Sequence, residues 1–507
     1  MKFDDLLKNN DSINSLIFKN YYLKTTSVFS YLNSKDFSIP KQGWKIHISS
    51  TYDNFPKVLQ KTTDYFIKNN ISFKYVNNEK TLKQMFSKTF SRIQSGKLIT
   101  IYTLDEKNFK KIIIDLSKIL KEYNSAPTVI TDKQYKNSCI FYRYGSFKGK
   151  YIYFGNKKIL DERKPYFFLP NFLKDPFEIK SNNQNKKEII LNERYVVKNA
   201  MSFTNFGGVY LGYDNKLEKN CVIKEYRPFF FLNNKWTSIE LAKNEVSTLK
   251  IFANSKITPL FIDSFYCDKH FFIVKEYIEG INLENLSYSY SLFFLTLEDK
   301  EKIINSINFF IKVLLNFLEL FVFSIKKNQI VLDLKLNNFI YDQKSNKIFY
   351  IDLENVHDIK TFFNDNPYYI NNSWLSINNR YKNYFSVQKK ISMLMVNLIS
   401  KSNSYLYFNK SVEKTFLKFK IICSYYKLPK LLVDTIEQLY FDKNIDLEKT
   451  ISKIKKIQNS DFQVYKLKKA PDENTILKVA KKDYDDLKIF IEKNFKKYKN
   501  NSIDYLV

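Results

Sequence analysis

The sequence is poor in histidine and cysteine, which limits the metal chemistry open to it. Its 507 residues include three histidines and four cysteines. The cysteines are scattered without a CxxC pair, at Cys139, Cys221, Cys267 and Cys423. This spacing excludes the usual thiolate zinc cluster and favours a reducing compartment. We therefore predict that the protein binds no zinc.

Targeting and membrane signals are also lacking. The N-terminus MKFDDLLKNNDS has no apolar signal core, and we find no run that approaches a membrane span. These absences predict a cytoplasmic protein. The net charge of +30 would suit nucleic acid, but the lysines are spread along the chain and the composition is typical of an AT-rich genome. We therefore expect no nucleic-acid partner.

Periodicity divides the chain into two parts. Residues 1–180 alternate strand and helix patterns and predict an α/β (or α+β) domain. The polar segment at residues 181–190 predicts a linker. A strand-rich pattern over about 191–280 precedes a helical one over about 281–460, which predicts a bilobal α+β domain. The lysine-rich tail, 461–507, is left unassigned.

The second part contains motifs in the order and spacing of a protein kinase. NFGGVYLGYD predicts a hairpin whose glycines let the backbone approach nucleotide phosphates. The lysine of CVIK, Lys224, would contact these phosphates. A glutamate on the next helix would pair with this lysine, with Glu245 favoured and Glu240 the alternative. The predicted nucleotide-binding residues are Gly207, Gly208, Lys224, Glu245 and Glu276.

The catalytic-loop pattern D-x-x-x-x-N occurs in VLDLKLNNFI. Asp333 would accept the proton of a substrate hydroxyl, and Lys335 would reach the transferring phosphoryl group. Asn338 and Asp352, the latter in FYIDLEN, would hold Mg²⁺. The loop departs from kinases in having Val-Leu where His-Arg is usual, and no A-P-E motif follows. These departures favour a divergent kinase dedicated to one substrate class.

The first part has its own chemical signal in GWKIHIS, residues 43–49. In a strand, Lys45 and His47 would share one face and Trp44, Ile46 and Ile48 the other. With SFKYV, GKLITIY, FYRYGSF and ILDERKPYFFLPNFLKDPF, this stretch resembles the lyase domain of class III lanthipeptide synthetases. The kinase-like part follows in the order found in that family, so the resemblance covers nearly the whole chain.

The resemblance implies a two-step dehydration. Such enzymes use ATP or GTP with Mg²⁺ to phosphorylate Ser and Thr in a precursor peptide carrying an N-terminal leader. They then eliminate phosphate to give dehydroalanine or dehydrobutyrine in a lantibiotic precursor. By the same resemblance Lys74 would be the base and His47 the acid. The phosphate-binding residues would be Lys45, Arg143, Lys97, Arg163 and Tyr102.

These roles place opposite demands on two protonation states. Lys74 must be neutral to act as a base, and flanking Phe73 and Tyr75 together with nearby cations would lower its pKa. His47 must be protonated, a form that a bound phosphate dianion favours. Elimination therefore requires a cationic pocket with one neutral lysine and one charged histidine.

Alternatives stay open. The resemblance implies a zinc-binding cyclase after residue 460, but no Cys or His follows there. The chain is thus expected to be a fragment or a synthetase served by a separate cyclase. One rival function is a Ser/Thr protein kinase whose N-terminal domain only binds phosphopeptide. A second rival function is that of a nucleic-acid-binding protein, which would leave the ordered kinase motifs unexplained.

Overall fold

The structure is a computed structural model of the chain. It describes residue 3 and residues 20–36, 38–162, 164–177, 188–232, 236–292, 295, 299–359, 384–400 and 411–458. The described residues form mixed α/β structure in two compact units. The first unit comprises Met1–Val246 and Ile262–Tyr277, and the second comprises Ser247–Phe261 and Ile278–Val507. The predicted tail at 461–507 and most of the predicted linker lie outside the described residues.

A seven-stranded antiparallel sheet forms the centre of the first unit. Its strands run β1-β2-β4-β5-β3-β7-β6 across the sheet. They are β1 (Tyr21–Thr25), β2 (Phe29–Ser34), β3 (Gln42–Ile48), β4 (Phe73–Val76), β5 (Ile99–Tyr102), β6 (Lys133–Gln134) and β7 (Ile140–Ser146). A hairpin of β8 (Tyr151–Phe154) and β9 (Lys157–Leu160) follows.

Three helices alternate with these strands, as the periodicity predicts. They are α1 (Phe55–Lys68), α2 (Glu79–Met85) and α3 (Glu106–Ile119). Asn78 and Asp105 cap α2 and α3 by accepting hydrogen bonds from the backbone N–H groups of Thr81 and Asn108. The apolar face of α3 packs on the sheet, where the Phe109 and Trp44 rings stack 5.0 Å apart. The apolar row of β3 is thereby buried.

A second, six-stranded sheet belongs to the same unit, with the order β10-β11-β12-β13-β17-β16. Its strands are β10 (Ile189–Leu191), β11 (Tyr195–Thr204), β12 (Gly207–Asp214), β13 (Lys219–Tyr226), β16 (Phe261–Cys267) and β17 (His270–Glu276). A small pair, β14 (Phe231–Leu232) and β15 (Trp236–Thr237), precedes α4 (Ser238–Phe252). Because β10 begins at residue 189, the last residues of the predicted linker are strand.

Buried polar contacts join this sheet to the segment around α2. Asn205, in the turn between β11 and β12, is fully buried, and its Nδ2 donates to the carbonyls of Met85 and Ser87 at 2.9 and 3.0 Å. Arg227, after β13, donates from Nη2 to the carbonyl of Thr128 at 2.7 Å. Arg92 pairs with Glu225 of β13 at 3.1 Å. The two sheets of the first unit are thus fixed to one another by buried hydrogen bonds.

The second unit is mainly helical, with short strands between its helices. Its helices are α5 (Leu283–Ser289), α6 (Lys300–Lys326), α7 (Tyr384–Ser400), α8 (Val412–Tyr425), α9 (Lys430–Phe441) and α10 (Leu447–Gln458). Its strands are β18 (Ile281–Asn282), β19 (Gln329–Val331), β20 (Phe339–Asp342), β21 (Lys347–Tyr350) and β22 (Val356–Asp358). Strands β20 and β21 interrupt the predicted helical pattern, and β19 and β22 lie on either side of them in the sequence.

Helix α6 corrects one sequence expectation. Its 27 residues are long and apolar enough to cross a membrane, so the statement that no run approaches a membrane span was wrong. In the fold, 72% of its apolar window is buried inside the protein. That burial, together with its packing against α7 and α10, is what the core helix of a globular unit shows.

The buried amide of Asn205 provides a test of the first unit. We expect Asn205→Ala to lower the free energy of unfolding by about 1–3 kcal/mol, because two buried carbonyls lose their donor. Asn199→Ala is the control, since Asn199 is exposed on β11, and its effect should stay within about 0.5 kcal/mol. Urea denaturation measures both, and equal stability losses would contradict the assignment.

Candidate active sites

Strand register collects the predicted lyase residues on one face of the seven-stranded sheet. In one row across the strands, Lys74 of β4 lies opposite Thr100 of β5, and Thr100 opposite His47 of β3. In a neighbouring row, Lys45 lies between Tyr102 and Arg143. Residues directly opposite in an antiparallel pair share a face, as do residues two apart on one strand. We call this set the basic face.

Lys74 and His47 stand two strand spacings apart, about 10 Å between their backbones. Because long side chains can converge from that separation, a substrate carbon could lie between them. The aromatic neighbours of Lys74 differ from those expected. Phe73 and Tyr75 lie on the opposite face, whereas the Lys74 Nζ lies 4.5 Å from the ring centre of Phe29 on β2.

His47 has a buried carboxylate partner that the sequence analysis missed. Its Nδ1 lies 2.5 Å from Oδ2 of Asp132, and both residues are buried. Thr131 donates its hydroxyl to Oδ1 of Asp132 at 2.5 Å, and the Lys97 Nζ is 3.7 Å from the same oxygen. Because a carboxylate only accepts hydrogen bonds, this contact places a proton on Nδ1 of His47 and leaves Nε2 to exchange protons.

Burial dominates the electrostatics of this pair. It lowers the pKa of His47 to about 4 against the attraction of Asp132, with Lys97 and Lys45 lowering it further. Burial also opposes ionisation of Asp132, but His47, Lys97 and Thr131 outweigh it and hold the pKa of Asp132 below its usual range. At neutral pH the protein therefore holds a neutral imidazole beside a carboxylate. The protonated imidazole expected from sequence would require a bound anion.

Arg143 also has an acidic partner. Its guanidinium forms an ion pair with Asp161, whose other oxygen accepts a hydrogen bond from the backbone N–H of Ser146 at 2.9 Å. A Cβ added at Gly145 would lie 2.7 Å from this carboxylate, so a larger residue there would displace the Asp161 side chain. The Lys45 Nζ donates to the carbonyl of Ser146 at 2.6 Å. The β7 end of the basic face is thus held in place by backbone and carboxylate contacts.

The basic face carries side chains that can attract an anion. Lys45, Lys74 and Arg143 lie on it, and Lys97 lies beside Asp132, while Asp161 pairs with Arg143. Such a group of basic side chains can attract phosphate. Arg163, the remaining predicted phosphate ligand, lies outside the described residues.

The six-stranded sheet carries a buried lysine–glutamate cluster. Lys224 of β13 donates to Oε2 of Glu245 at 2.8 Å, and Lys275 of β17, which the sequence analysis missed, donates to Oε1 at 2.7 Å. Glu245 is fully buried. Glu240, the alternative partner, instead accepts hydrogen bonds from Thr237 at the start of α4. Glu245 is therefore the carboxylate that holds Lys224.

The other three predicted nucleotide contacts have different surroundings. A Cβ on Gly207 would lie 1.7 Å from the carbonyl oxygen of Glu225, so close packing against β13 already requires glycine there. A Cβ on Gly208 would meet the ring of Tyr210. Glu276 lies opposite Cys221, on the other face of the sheet from Lys224. Their roles in nucleotide binding stay predictions.

The second unit brings the predicted catalytic-loop residues together. Asn338 donates from Nδ2 to the carbonyl of Asp333 at 2.8 Å, and the Lys335 Nζ lies 2.8 Å from Oδ1 of Asp333. The backbone N–H of Ile351 donates to the carbonyl of Asn338 at 2.9 Å, which brings the adjoining Asp352 to the loop. With Nδ2 engaged, the amide oxygen of Asn338 can join the carboxylate of Asp352 as an oxygen ligand. These are donor types that Mg²⁺ prefers.

Comparisons with known proteins give one family match and two similar curated proteins. Residues 11–189 match the family model described as RamC, N-terminal domain. The chain is 28% identical to a probable SapB synthase of Streptomyces coelicolor over 263 residues, which cover 49% of this chain and 28% of the synthase. It is 31% identical over 103 residues to YbdM, a probable serine/threonine-protein kinase of Bacillus subtilis, covering 20% of this chain and 39% of that kinase.

The chain thus spans well under half the length of each of these relatives. The domain match falls on the seven-stranded sheet that carries the basic face. The similarity of residues 11–189 to the RamC N-terminal domain and of the chain to the SapB synthase supports the resemblance to class III lanthipeptide synthetases.

Proposed function

We propose that this protein dehydrates Ser and Thr residues of a ribosomally made precursor peptide in lanthipeptide biosynthesis. Phosphorylation of the side-chain hydroxyl would come first and elimination of phosphate second. The observation that carries the proposal is the basic face, where Lys74 and His47 share one row and the charges of Lys45 and Lys97 act on the His47–Asp132 pair. The similarity of residues 11–189 to the RamC N-terminal domain supports it, as does the catalytic loop of the second unit.

Elimination needs a base and an acid on one substrate. Lys74, when neutral, would take the proton from Cα, the Cα–Cβ double bond would form, and the bond from Cβ to the phosphate oxygen would break. His47 would give a proton from Nε2 to the departing phosphate. Its pKa of about 4 leaves it neutral before substrate binds, so the phosphate dianion itself must recruit the proton. This coupling would keep the acid inactive until a phosphorylated residue arrives.

Phosphoryl transfer would use the catalytic-loop residues of the second unit. Asp333 would accept the proton of the substrate hydroxyl and Lys335 would contact the transferred group. Mg²⁺ held by Asn338 and Asp352 would neutralise charge that develops on the phosphates. Lys224, held by Glu245, would contact the phosphates of ATP or GTP, and Gly207, Gly208 and Glu276 are the further proposed contacts.

Variants should separate the two steps. With the precursor peptide, Mg²⁺ and nucleotide, Lys74→Met or His47→Ala should accumulate phosphopeptide, because phosphorylation needs neither side chain. Elimination should fall on the order of a hundredfold to ten-thousandfold. Asp333→Asn should leave the peptide unmodified and still process a synthetic phosphopeptide. Mass spectrometry of the products measures all three, and dehydration by Lys74→Met at the wild-type rate would show that another group is the base.

Asp132 should act as a positioning residue for His47. We expect Asp132→Asn to lower kcat/KM for elimination from a synthetic phosphopeptide on the order of a hundredfold. Because Asp132 raises the pKa of His47, its loss should also move the decline of kcat/KM at high pH towards lower pH. Asp115→Asn is the control, since Asp115 accepts a hydrogen bond from Tyr65 on the surface of the same sheet domain. An unchanged pH profile in Asp132→Asn would contradict this role.

A further inference from the structure

A lysine is buried beneath the catalytic loop of the second unit, and the steps described so far do not use it. Lys390 lies on α7, and only 5% of it is exposed. Its Nζ donates to the backbone carbonyl of Leu332 at 3.0 Å. Leu332 immediately precedes Asp333, so the contact lies one residue from the proposed proton acceptor.

Burying this lysine is costly, which argues against a packing role alone. The buried side chains that follow it on α7 are largely apolar: Ile391, Met393, Leu394, Met395 and Val396. Burial lowers the pKa of Lys390 to about 8, the charge of Asp333 opposes this, and Lys335 adds to it. An ammonium group taken out of water needs compensating partners. The carbonyl of Leu332 and the charge of Asp333 provide them.

The backbone around Asp333 is anchored on both sides. The N–H of Leu332 donates to the carbonyl of Asn355 at 3.1 Å, while its carbonyl accepts from Lys390. The carbonyl of Asp333 itself accepts from Asn338. Both polar backbone groups of Leu332 are therefore satisfied by other elements, which leaves the peptide before Asp333 little freedom to rotate.

This anchor compensates for the unusual sequence of the loop. Val331 and Leu332 stand where the kinase pattern has His-Arg, and both are buried apolar residues. Their side chains cannot donate hydrogen bonds to hold the loop. Lys390 supplies a donor from a helix 58 residues further along the chain.

We propose that Lys390 is a positioning residue for phosphoryl transfer, which fixes the peptide carrying Asp333 by donating to the carbonyl of Leu332. The inference rests on the proposed kinase activity and extends it to a residue that touches neither substrate nor nucleotide. Because the contact sets the direction of the Asp333 carboxylate, its loss should affect the chemical step more than the binding of nucleotide.

The test compares variants in the full chain. Lys390→Met should lower kcat for phosphorylation of the precursor peptide by about a hundredfold, with KM for the nucleotide changed less than about threefold. Lys390→Gln retains an N–H donor, so its kcat should be at least tenfold higher than that of Lys390→Met. Lys389→Met, at the neighbouring position that contacts the rings of Phe385 and Tyr440, should keep wild-type kcat. Elimination from a synthetic phosphopeptide, measured on the same samples, should be unchanged in all three.

The outcomes distinguish the positioning role of Lys390 from the proposed kinase activity. Wild-type kcat in Lys390→Met, or equal losses in the Met and Gln variants, would overturn the positioning role. If Lys390→Met does not fold, the test uses Lys390→Gln alone. The positioning role then requires that this variant folds and keeps at least a tenth of wild-type kcat. Failure of the wild-type protein to phosphorylate any residue of the precursor peptide would overturn the proposed function, and this inference with it.

Discussion

The antiparallel register of β3 between β5 and β7 is the constraint on which the basic face depends. A slip of one residue would turn Lys45 and His47 towards α3 and expose Trp44 on the opposite face. The apolar row of β3 prevents this slip, because the ring of Trp44 stacks on Phe109 of α3. Hydrophobic burial on one side of the sheet therefore fixes the position of the chemical groups on the other.

That position has an electrostatic consequence. Several cationic side chains gathered on one partly buried face repel one another, and the fold places Asp132 and Asp161 among them. Asp132 sets the tautomer of His47, while Asp161 orients Arg143. The basic side chains can attract an anion such as phosphate. Its arrival would raise the proton affinity of an imidazole that burial keeps neutral.

Much of this arrangement could be predicted from local sequence. Strict alternation in GWKIHIS determined the faces of β3, and motif order located Lys224, Asp333 and Asn338. Contacts made across long sequence separations could not be predicted in this way. Asp132 is 85 residues from His47, and Lys390 is 58 residues from Leu332. Neither lies in a motif, because a buried partner needs only to reach one atom and no local pattern records that requirement.

The central claim is that the basic face eliminates phosphate and does not hydrolyse it. A synthetic phosphoserine peptide of the precursor sequence, deuterated at Cα, tests this without nucleotide or Mg²⁺. The account predicts one dehydroalanine for each phosphate released, with slower release from the deuterated peptide because Lys74 removes the α-proton. Serine in the product, with equal rates for the two peptides, would show that the protein hydrolyses the phosphoester and would contradict the account.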